Sequence, residues 1–465
     1  MTAVRGGLTL GQQALWHFYR QDPAATPYLV YCALRGEFDE DVLARAVRIA
    51  GGRHDLVRST FAEDGEGPYR TIHDSGRPVL EVRDAPGLTG TALRDVVLAA
   101  GREPFRLEDD GAFRVVLVQG AVEQVLLVAG HHIATDAISQ CLLVRHIIDA
   151  YADLAEGRAP DETRAPSFER QVERERALLA GPRLAELERY WRQVCEGAAM
   201  DLELPVDRPR PRRPAQRGRT HVEPLGAALT SDLKQAAARA GTTQFALLLT
   251  AFRLLLHRYT GETDLVIGCP TATRRVPGLR ATVGYYVNPL VLRATIAPDD
   301  TCAELVLAAH DEIRRAMAHH DYPFPLLPTA LGVPRDAARS PVFQITFTMV
   351  ATGRLDPVAD LLAGGVETLR YRGLRLAAYE LDQQEGQFDL AVEVMAGSEG
   401  TKVLFRYRDD LYEPETIRRL GRHYVRLLEA LPDALPDAGA RPAASLPAVD
   451  AGECAELLAL GRVRS

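Results

Sequence analysis

No apolar run in the 465 residues approaches the roughly 18 to 20 that a membrane-spanning helix needs, and the first residues show no signal-peptide-like apolar segment. Neither a membrane nor a secreted protein is expected; the cytoplasm is. Cysteine is scarce and dispersed, with six residues (Cys32, Cys141, Cys195, Cys269, Cys302, Cys454) and no short spacing between any two. That pattern excludes a Cys-x-x-Cys redox motif and a dense disulfide framework and points to reduced thiols. His-Glu-x-x-His is absent as well, so no metal site is expected. Basic residues are in deficit, 55 Lys and Arg against 63 Asp and Glu, for a net charge of -8. An acidic chain of this kind argues against nucleic acid as its main partner. The length exceeds one ordinary core and fits two domains of roughly 200 residues.

What is present centres on His131-His132-Ile133-Ala134-Thr135-Asp136. The apolar stretch from Gln124 to Gly130 has strand length, and Ala137 to Tyr151 reads as a helix that carries Ile138, Leu142, Ile147 and Ile148 inward. The motif therefore lies at a strand-to-helix corner, where side chains reach the mouth of a sheet rather than its core. A histidine pair at a strand end serves either as a structural pair or as chemistry. A metal would require further ligands, and the chain nearby offers only Asp136 and the distant His146. The chemical reading that survives is one histidine acting as base or hydrogen-bond partner near neutral pH. Asp136 alone fits the N-cap of the following helix.

Along the chain, Thr9 is placed to cap a helix that buries Leu15 and Trp16. A strand over 28–34 leads through Glu37 to Asp41 into a helix over 42–51. Arg53 to Phe61 reads as a charged helix end running into a strand, with structural ion pairs. Two apolar strands, 113–118 and 124–128, form a hairpin that delivers the histidines. Helical sequence over 166–195 breaks at Gly181-Pro182, and four prolines between Pro205 and Pro214 predict an extended connector. Residues 242–261 form an apolar helix between a Thr cap and Gly261. A strand and turn follow over 264–274, Gly284 to Leu290 precedes another strand, a last helix spans 414–431, and the Ala/Pro-rich stretch from Pro432 to Pro447 is irregular.

These segments, in this order, resemble the condensation domains of nonribosomal peptide synthetases, within the superfamily that has the chloramphenicol-acetyltransferase fold. Gln12 and Trp16, Arg53 to Phe61, His131 to Ser139, Tyr190-Trp191 before Leu204-Pro205, Arg274 after its strand, Gly284 to Leu290, His320 to Phe324 and Ser340 to Thr348 each match a motif of that family. Departures are Asp55, Val57 and Ser59, Ala137 where the family has Gly, Tyr286 for Phe, Pro325 for Glu, and Thr348 where Asn is common. The histidine pair separates the chain from cyclisation variants, which carry aspartates there.

The resemblance implies an α/β fold of two chloramphenicol-acetyltransferase-like halves, 1–180 and 218–431, arranged as a V around a central tunnel. Residues 181–217 connect them, and 432–465 look like an inter-domain linker. The implied reaction joins an acyl or aminoacyl thioester donor to an amine or hydroxyl, forming an amide or ester in natural-product and antibiotic biosynthesis. Acyl or peptidyl carrier proteins are the implied partners, with substrates on their phosphopantetheine arms, a small-molecule acceptor as a further possibility and no cofactor bound; a monomer is expected. His132 would face the attacking group, and His131 would point back into structure. Asp136 would pair with Arg274 as a structural ion pair. Ala137 and Ser139 complete the motif, the Ala137 methyl projecting into the space beside His132. Asn288, Gln344 and Thr348 are the expected tunnel-lining residues. A small-molecule O- or N-acyltransferase of the same superfamily and a non-catalytic recruitment domain of the same fold are the alternatives.

Overall fold

The computed structural model of the chain describes residues 4–447 and 453, apart from 75, 76, 216, 275, 335, 337, 352–355, 384, 385, 399 and 436–441. The first lobe runs β1 (Val4–Gly6), α1 (Leu10–Gln21), β2 (Leu29–Gly36), α2 (Glu40–Gly52), β3 (Ser59–Asp64), β4 (Gly67–Ile72), β5 (Leu80–Asp84), α3 (Gly90–Arg102), β6 (Phe113–Gln119), β7 (Gln124–His131), α4 (Ala137–Ala155) and α5 (Glu169–Ala180). The second runs α6 (Arg183–Cys195), β8 (Gly218–Leu225), α7 (Ala227–Arg239), α8 (Gln244–Thr260), β9 (Asp264–Ala272), β10 (Val287–Thr295), α9 (Cys302–Ala318), α10 (Leu327–Leu331), β11 (Ile345–Ala351) and α11 (Pro357–Leu362). It closes with β12 (Thr368–Tyr371), β13 (Leu374–Ala378), β14 (Leu390–Ala396), β15 (Thr401–Arg408) and α12 (Pro414–Ala430).

Each lobe is built on one mixed six-stranded sheet, β12-β13-β2-β7-β6-β5 in the first and β10-β9-β11-β14-β15-β8 in the second. The first order departs from the division expected from sequence. Strands β12 and β13 come from within 218–431, yet they extend the first lobe's sheet, with Ala377 opposite Arg35 and Ala378 opposite Leu34. Segment 356–381 thus leaves its own half, and its Val358, Leu361 and Leu376 are buried in the first lobe's core.

The break at Gly181-Pro182 separates α5 from α6, and α6 already packs in the second core through Leu187 and Trp191. The proline-rich connector is extended, as proline's fixed φ requires, but it is strapped down. Leu204 is buried, Arg208 donates to the Tyr412 carbonyl at 3.2 Å, and Arg210 forks onto Asp389 at 2.9 and 2.5 Å. Its arginines therefore hold the acid that precedes β14 and the backbone that follows β15. Helix α8 is apolar on every side because both its faces are covered, and each fully buried leucine there is worth roughly 1.5–3 kcal/mol. Its one buried charge, Arg253, forks onto Glu312 of α9 at 2.7 and 3.0 Å. Thr243 caps its start, and Gly261 ends it at φ 75°, a left-handed position where a Cβ is unfavourable.

The five described cysteines are free thiols, and Cys454 lies outside the described residues, as do 448–452 and 454–465 of the expected linker-like tail. Among the described residues no helix is long and apolar enough to cross a membrane.

Candidate active site

Strand β7 is paired on both sides, with Leu29 of β2 opposite His131 and Phe113 of β6 opposite Gly130, so the sheet fixes where the histidines emerge. Successive strand residues face opposite ways, and the pair divides accordingly. His131 is buried, edge-on to Tyr19 at 5.8 Å and to Phe105 at 6.4 Å, and its Nδ1 accepts the Ile133 N–H at 3.2 Å. His132 turns the other way, to the wall of a cleft of about 1520 Å³ between the lobes. Its backbone N–H donates to the Tyr28 carbonyl at 2.7 Å, and its ring meets Tyr285 edge-on at 5.1 Å.

The His132 Nδ1 lies 2.6 Å from the Thr135 carbonyl oxygen. A carbonyl only accepts, so Nδ1 must carry the proton, and in the neutral ring Nε2 is then the basic nitrogen. Burial lowers the His132 pKa, while the Thr135 carbonyl and the Asp136 charge act against that. The ring is therefore neutral near pH 7 with its lone pair on Nε2, the state a general base needs. The loop is held from outside by Gln12, whose Nε2 donates to the Ile133 carbonyl at 2.7 Å. Gln12 also closes a capping box with Thr9 at the start of α1. The sequence marked Gln12 only as a motif residue; its positioning role needs this contact, 121 positions away.

Asp136 holds both roles open to it. Its Oδ1 caps α4 by accepting the Ser139 N–H at 2.8 Å and also takes Arg274 Nη2 at 2.7 Å. Its Oδ2 accepts the Tyr286 N–H at 3.2 Å. Ser139 Oγ donates to the Gly284 carbonyl at 2.6 Å, accepts the Gly284 N–H at 2.9 Å and also meets Arg274. Arg274 Nη1 reaches the Thr282 carbonyl at 3.0 Å, and its guanidinium stands 4.1 Å from the Tyr286 ring centroid. The start of α4 is thereby sewn to segment 274–286 of the second half.

Ala137 is the first residue of α4, outside the positive-φ residues, and lines the cleft beside His132. Ile138, expected inward, is 48% exposed in the same wall, because it shares the cleft side of the first turn of α4 with Ala137 while Ser139 and Gln140 take the buried side. Leu142, Ile147 and Ile148 are buried as expected. Thr348 also lines the cleft, its Oγ1 donating to the Pro270 carbonyl at 3.1 Å. Two expectations need correction. Asn288 does not line the large cleft: its Nδ2 donates to the carbonyls of His320 at 2.8 Å and Tyr322 at 2.7 Å, and its Oδ1 accepts the Phe324 N–H at 2.9 Å. It pins the 320–324 loop and borders only a second, smaller cavity. Gln344 is buried away from both, clamping the Met200 and Ser340 carbonyls, each at 2.9 Å.

Elsewhere in the first lobe, His54 and His146 form a buried stacked pair, Nε2 to Nδ1 2.9 Å. The Val283 N–H donates to His54 Nδ1 at 3.2 Å, so His54 is the Nε2–H tautomer and donates to His146. Burial pushes His131 and His146 down to about 3, and it pushes His54 well below its ordinary value. A histidine that cannot take a proton when folded leaves stability unchanged above its unfolded pKa of about 6.5 and removes it as pH falls below. For His131 and His146 the loss by pH 5 is roughly 2 kcal/mol each. Urea unfolding should therefore be flat from pH 8 to 7 and weaken steeply toward pH 5; equal stability at pH 7.5 and 5 would contradict it. Among the described residues no group of three or more His, Cys, Asp and Glu side chains could hold a metal.

Comparison with known proteins is decisive about the family. The family model described as Condensation domain matches residues 7–441. A linear gramicidin synthase of Brevibacillus parabrevis is 30% identical over 436 residues, 91% of this chain but 5% of that protein. Phosphinothricin tripeptide synthetase PhsB of Streptomyces viridochromogenes is 32% identical over 442 residues, 92% of this chain and 36% of that protein. The chain thus spans a minor part of such relatives. The crystal structure of the X-domain from teicoplanin biosynthesis superposes with a TM-score of 0.82 at 27% identity, covering 96% of this chain and 98% of that one. A four-domain nonribosomal peptide synthetase bound to AMP and glycine shares the fold, with a TM-score of 0.86 at 22% identity over 97% of this chain and 34% of that one. The chain belongs to the condensation-domain family of nonribosomal peptide synthetases, and its two lobes have that family's chloramphenicol-acetyltransferase-like fold.

Proposed function

We propose that this chain is an acyltransferase that joins a carrier-bound acyl or aminoacyl thioester to an amine or hydroxyl acceptor, giving an amide or an ester. The observation that carries the reading is His132, which presents a basic Nε2 at the wall of a cleft between two lobes. The step balances simply: the acceptor nitrogen or oxygen attacks the thioester carbonyl, its proton passes to Nε2, and the thiol of the pantetheine arm leaves with a proton. A primary α-amino group, with a pKa of roughly 7.7 to 8.0, has a usable neutral fraction near pH 7, so for it His132 mainly orients. An alcohol needs the proton removed, and there the base contributes about 10² to 10⁴ in rate. Acyl or peptidyl carrier proteins are the partners in this reading, no cofactor is bound by the chain itself, and the setting is the cytoplasm.

The experiment is direct: the protein is mixed with an acyl-loaded carrier and an amine, and intact mass follows loss of the acyl group from the carrier and its gain by the amine. One observation favours a second reading, recruitment of another enzyme through the outer surface. A teicoplanin X-domain 27% identical to this chain was solved in complex with OxyB. Absence of transfer from every carrier and amine tried, together with stable capture of a partner enzyme, would turn the assignment that way.

A further inference from the structure

The cleft is not confined to one face of the second lobe's sheet. Side chains alternate along a strand, and Thr346, Thr348 and Val350 of β11 form the cleft wall together with Glu393 and Leu404 of the next two strands. Phe347 points the other way, its ring 5.1 Å from Phe252 and 5.7 Å from Phe245 of α8. Yet Phe245 also lines the cleft, as do Ile313 and Met317 of α9, all three half-buried against the core behind the sheet. The space therefore passes through the sheet.

The strand pairing shows where. Strand β9 pairs with β10 from Asp264 to Ala272, and β11 pairs with β14 from Ile345 to Ala351, but β9 and β11 meet only at Gly268 and Thr346. Past that point the two strands part. Where the next backbone bond would fall, the Thr348 side chain donates instead to the Pro270 carbonyl at 3.1 Å. Beyond it Thr271 and Ala272 stand on one bank and Met349 and Val350 on the other, all bordering the cleft. The opening lies at the active-site end of the strands, since Ala272 is opposite Val287, two residues from the Tyr285 ring that meets His132. What lies behind it is apolar. Phe245, Ile313, Met317 and Met349 supply its walls, Thr271 Oγ1 is spent on the Asn288 carbonyl at 2.8 Å, and the buried charges on that side, Arg253 and Glu312, are paired with each other and do not border the cleft. With its polar groups spent, this side recognises a ligand by apolar area, and its flexible methionines adapt to one. Because the strands are still joined at Gly268 and Thr346 and by the Thr348 side chain, the opening is a slot, which suits an unbranched chain better than a ring.

We propose that the slot between β9 and β11 admits the unbranched alkyl chain of an acyl donor, and that the space between the sheet and helices α8 and α9 holds the end of that chain. The assignment to the donor rests on the acyl-transfer reading. In it the thioester carbonyl stays in the cleft at His132 while the tail passes behind the sheet.

The test is calorimetric titration of the full chain with N-acyl aminopantetheines, in which an amide replaces the thioester so that nothing is transferred. Affinity is expected to rise about threefold to fourfold per added methylene from acetyl to octanoyl. Met317→Trp, which fills the space behind the sheet, should end that rise near butanoyl, and Met317→Ala should extend it past octanoyl, with acetyl binding unchanged in both. Urea midpoints establish that the variants fold, and if the tryptophan variant does not, the alanine variant decides. A flat series in the parent, or the parent's series in a folded Met317 variant, would overturn the slot. Octylamine bound as tightly as the octanoyl probe, with the same dependence on position 317, would give the slot to the acceptor and overturn the donor assignment. Transfer from acetyl and octanoyl carriers with equal kcat/KM would refute the slot and leave the catalytic reading, whereas binding that grows with chain length in a protein that transfers nothing would refute that reading and leave the slot standing.

Discussion

His132→Ala lowers acyl transfer by about 10² to 10⁴ for an alcohol acceptor, and by less for an amine at high pH, while the protein unfolds at nearly the same urea concentration. The asymmetry follows from where the ring stands. It lines the cleft, so its removal enlarges space that is already open, and the freed Thr135 carbonyl can be met by water. His131→Ala should behave in the opposite sense. That ring is buried between Tyr19 and Phe105 and accepts the Ile133 N–H, so truncation leaves both a cavity and an unsatisfied donor, at roughly 2–5 kcal/mol. Because His131 supports the loop carrying His132, some activity falls with it, but as a consequence of lost stability. Two measurements on each variant separate these roles: the unfolding midpoint, and transfer at saturating donor and acceptor. Transfer by His132→Ala within a few fold of the parent would remove that ring from the mechanism, and a fully stable, inactive His131→Ala would contradict the structural assignment.

The sequence was most legible where local rules suffice. Thr9 and the threonine at the start of the apolar helix of 242–261 read as caps because their side chains serve their own helix starts, and the hairpin of 113–118 and 124–128 read from its apolar runs and short turn. It was least legible where contacts join distant segments. Nothing in the pattern of residues 368–378 says which sheet they enter, since any strand of that length pairs equally well with either, and they cross to the first lobe. Asn288 and Gln344 show the same limit on the scale of one side chain. A polar residue beside a strand can face a tunnel or tie down a loop, and the choice depends on whether carbonyls such as those of His320 or Met200 stand opposite it. Arg274 is a middle case. Periodicity gives no reason to join it to Asp136, 138 positions away, and the expectation came from family resemblance alone. Gln12 and Ser139 have residue types that fit their sites, yet the carbonyls they hold belong to parts of the chain that only folding brings near.

The Asp136 and Arg274 side chains are 4% and 8% exposed and 2.7 Å apart, and neutralising either alone strands its partner's charge out of water. Each single change, Asp136→Asn or Arg274→Met, should therefore cost about 3–5 kcal/mol, the range for breaking one side of a buried pair. Asparagine preserves the cap on Ser139, so the loss in that variant comes from the unpaired guanidinium and not from a frayed α4. Methionine retains much of the arginine stem packed near Tyr286, but it gives up the bond to the Thr282 carbonyl. The double variant carries no stranded charge and should recover part of the sum, with a coupling energy of about 1–3 kcal/mol in the cycle. Activity should follow the same order. The pair joins the first turn of α4 to segment 274–286, and the two flank His132, one through Asp136 and the other through Tyr285. Once the pair is lost, Ala137, Tyr285 and His132 are free to drift by the fraction of an ångström that positioned proton transfer cannot tolerate. Urea unfolding of the four proteins, with transfer rates measured on the same samples, completes the cycle. Strict additivity of the two single losses would show that the charges do not act on each other. Full activity in both single variants would show that the seam between the lobes does not position His132.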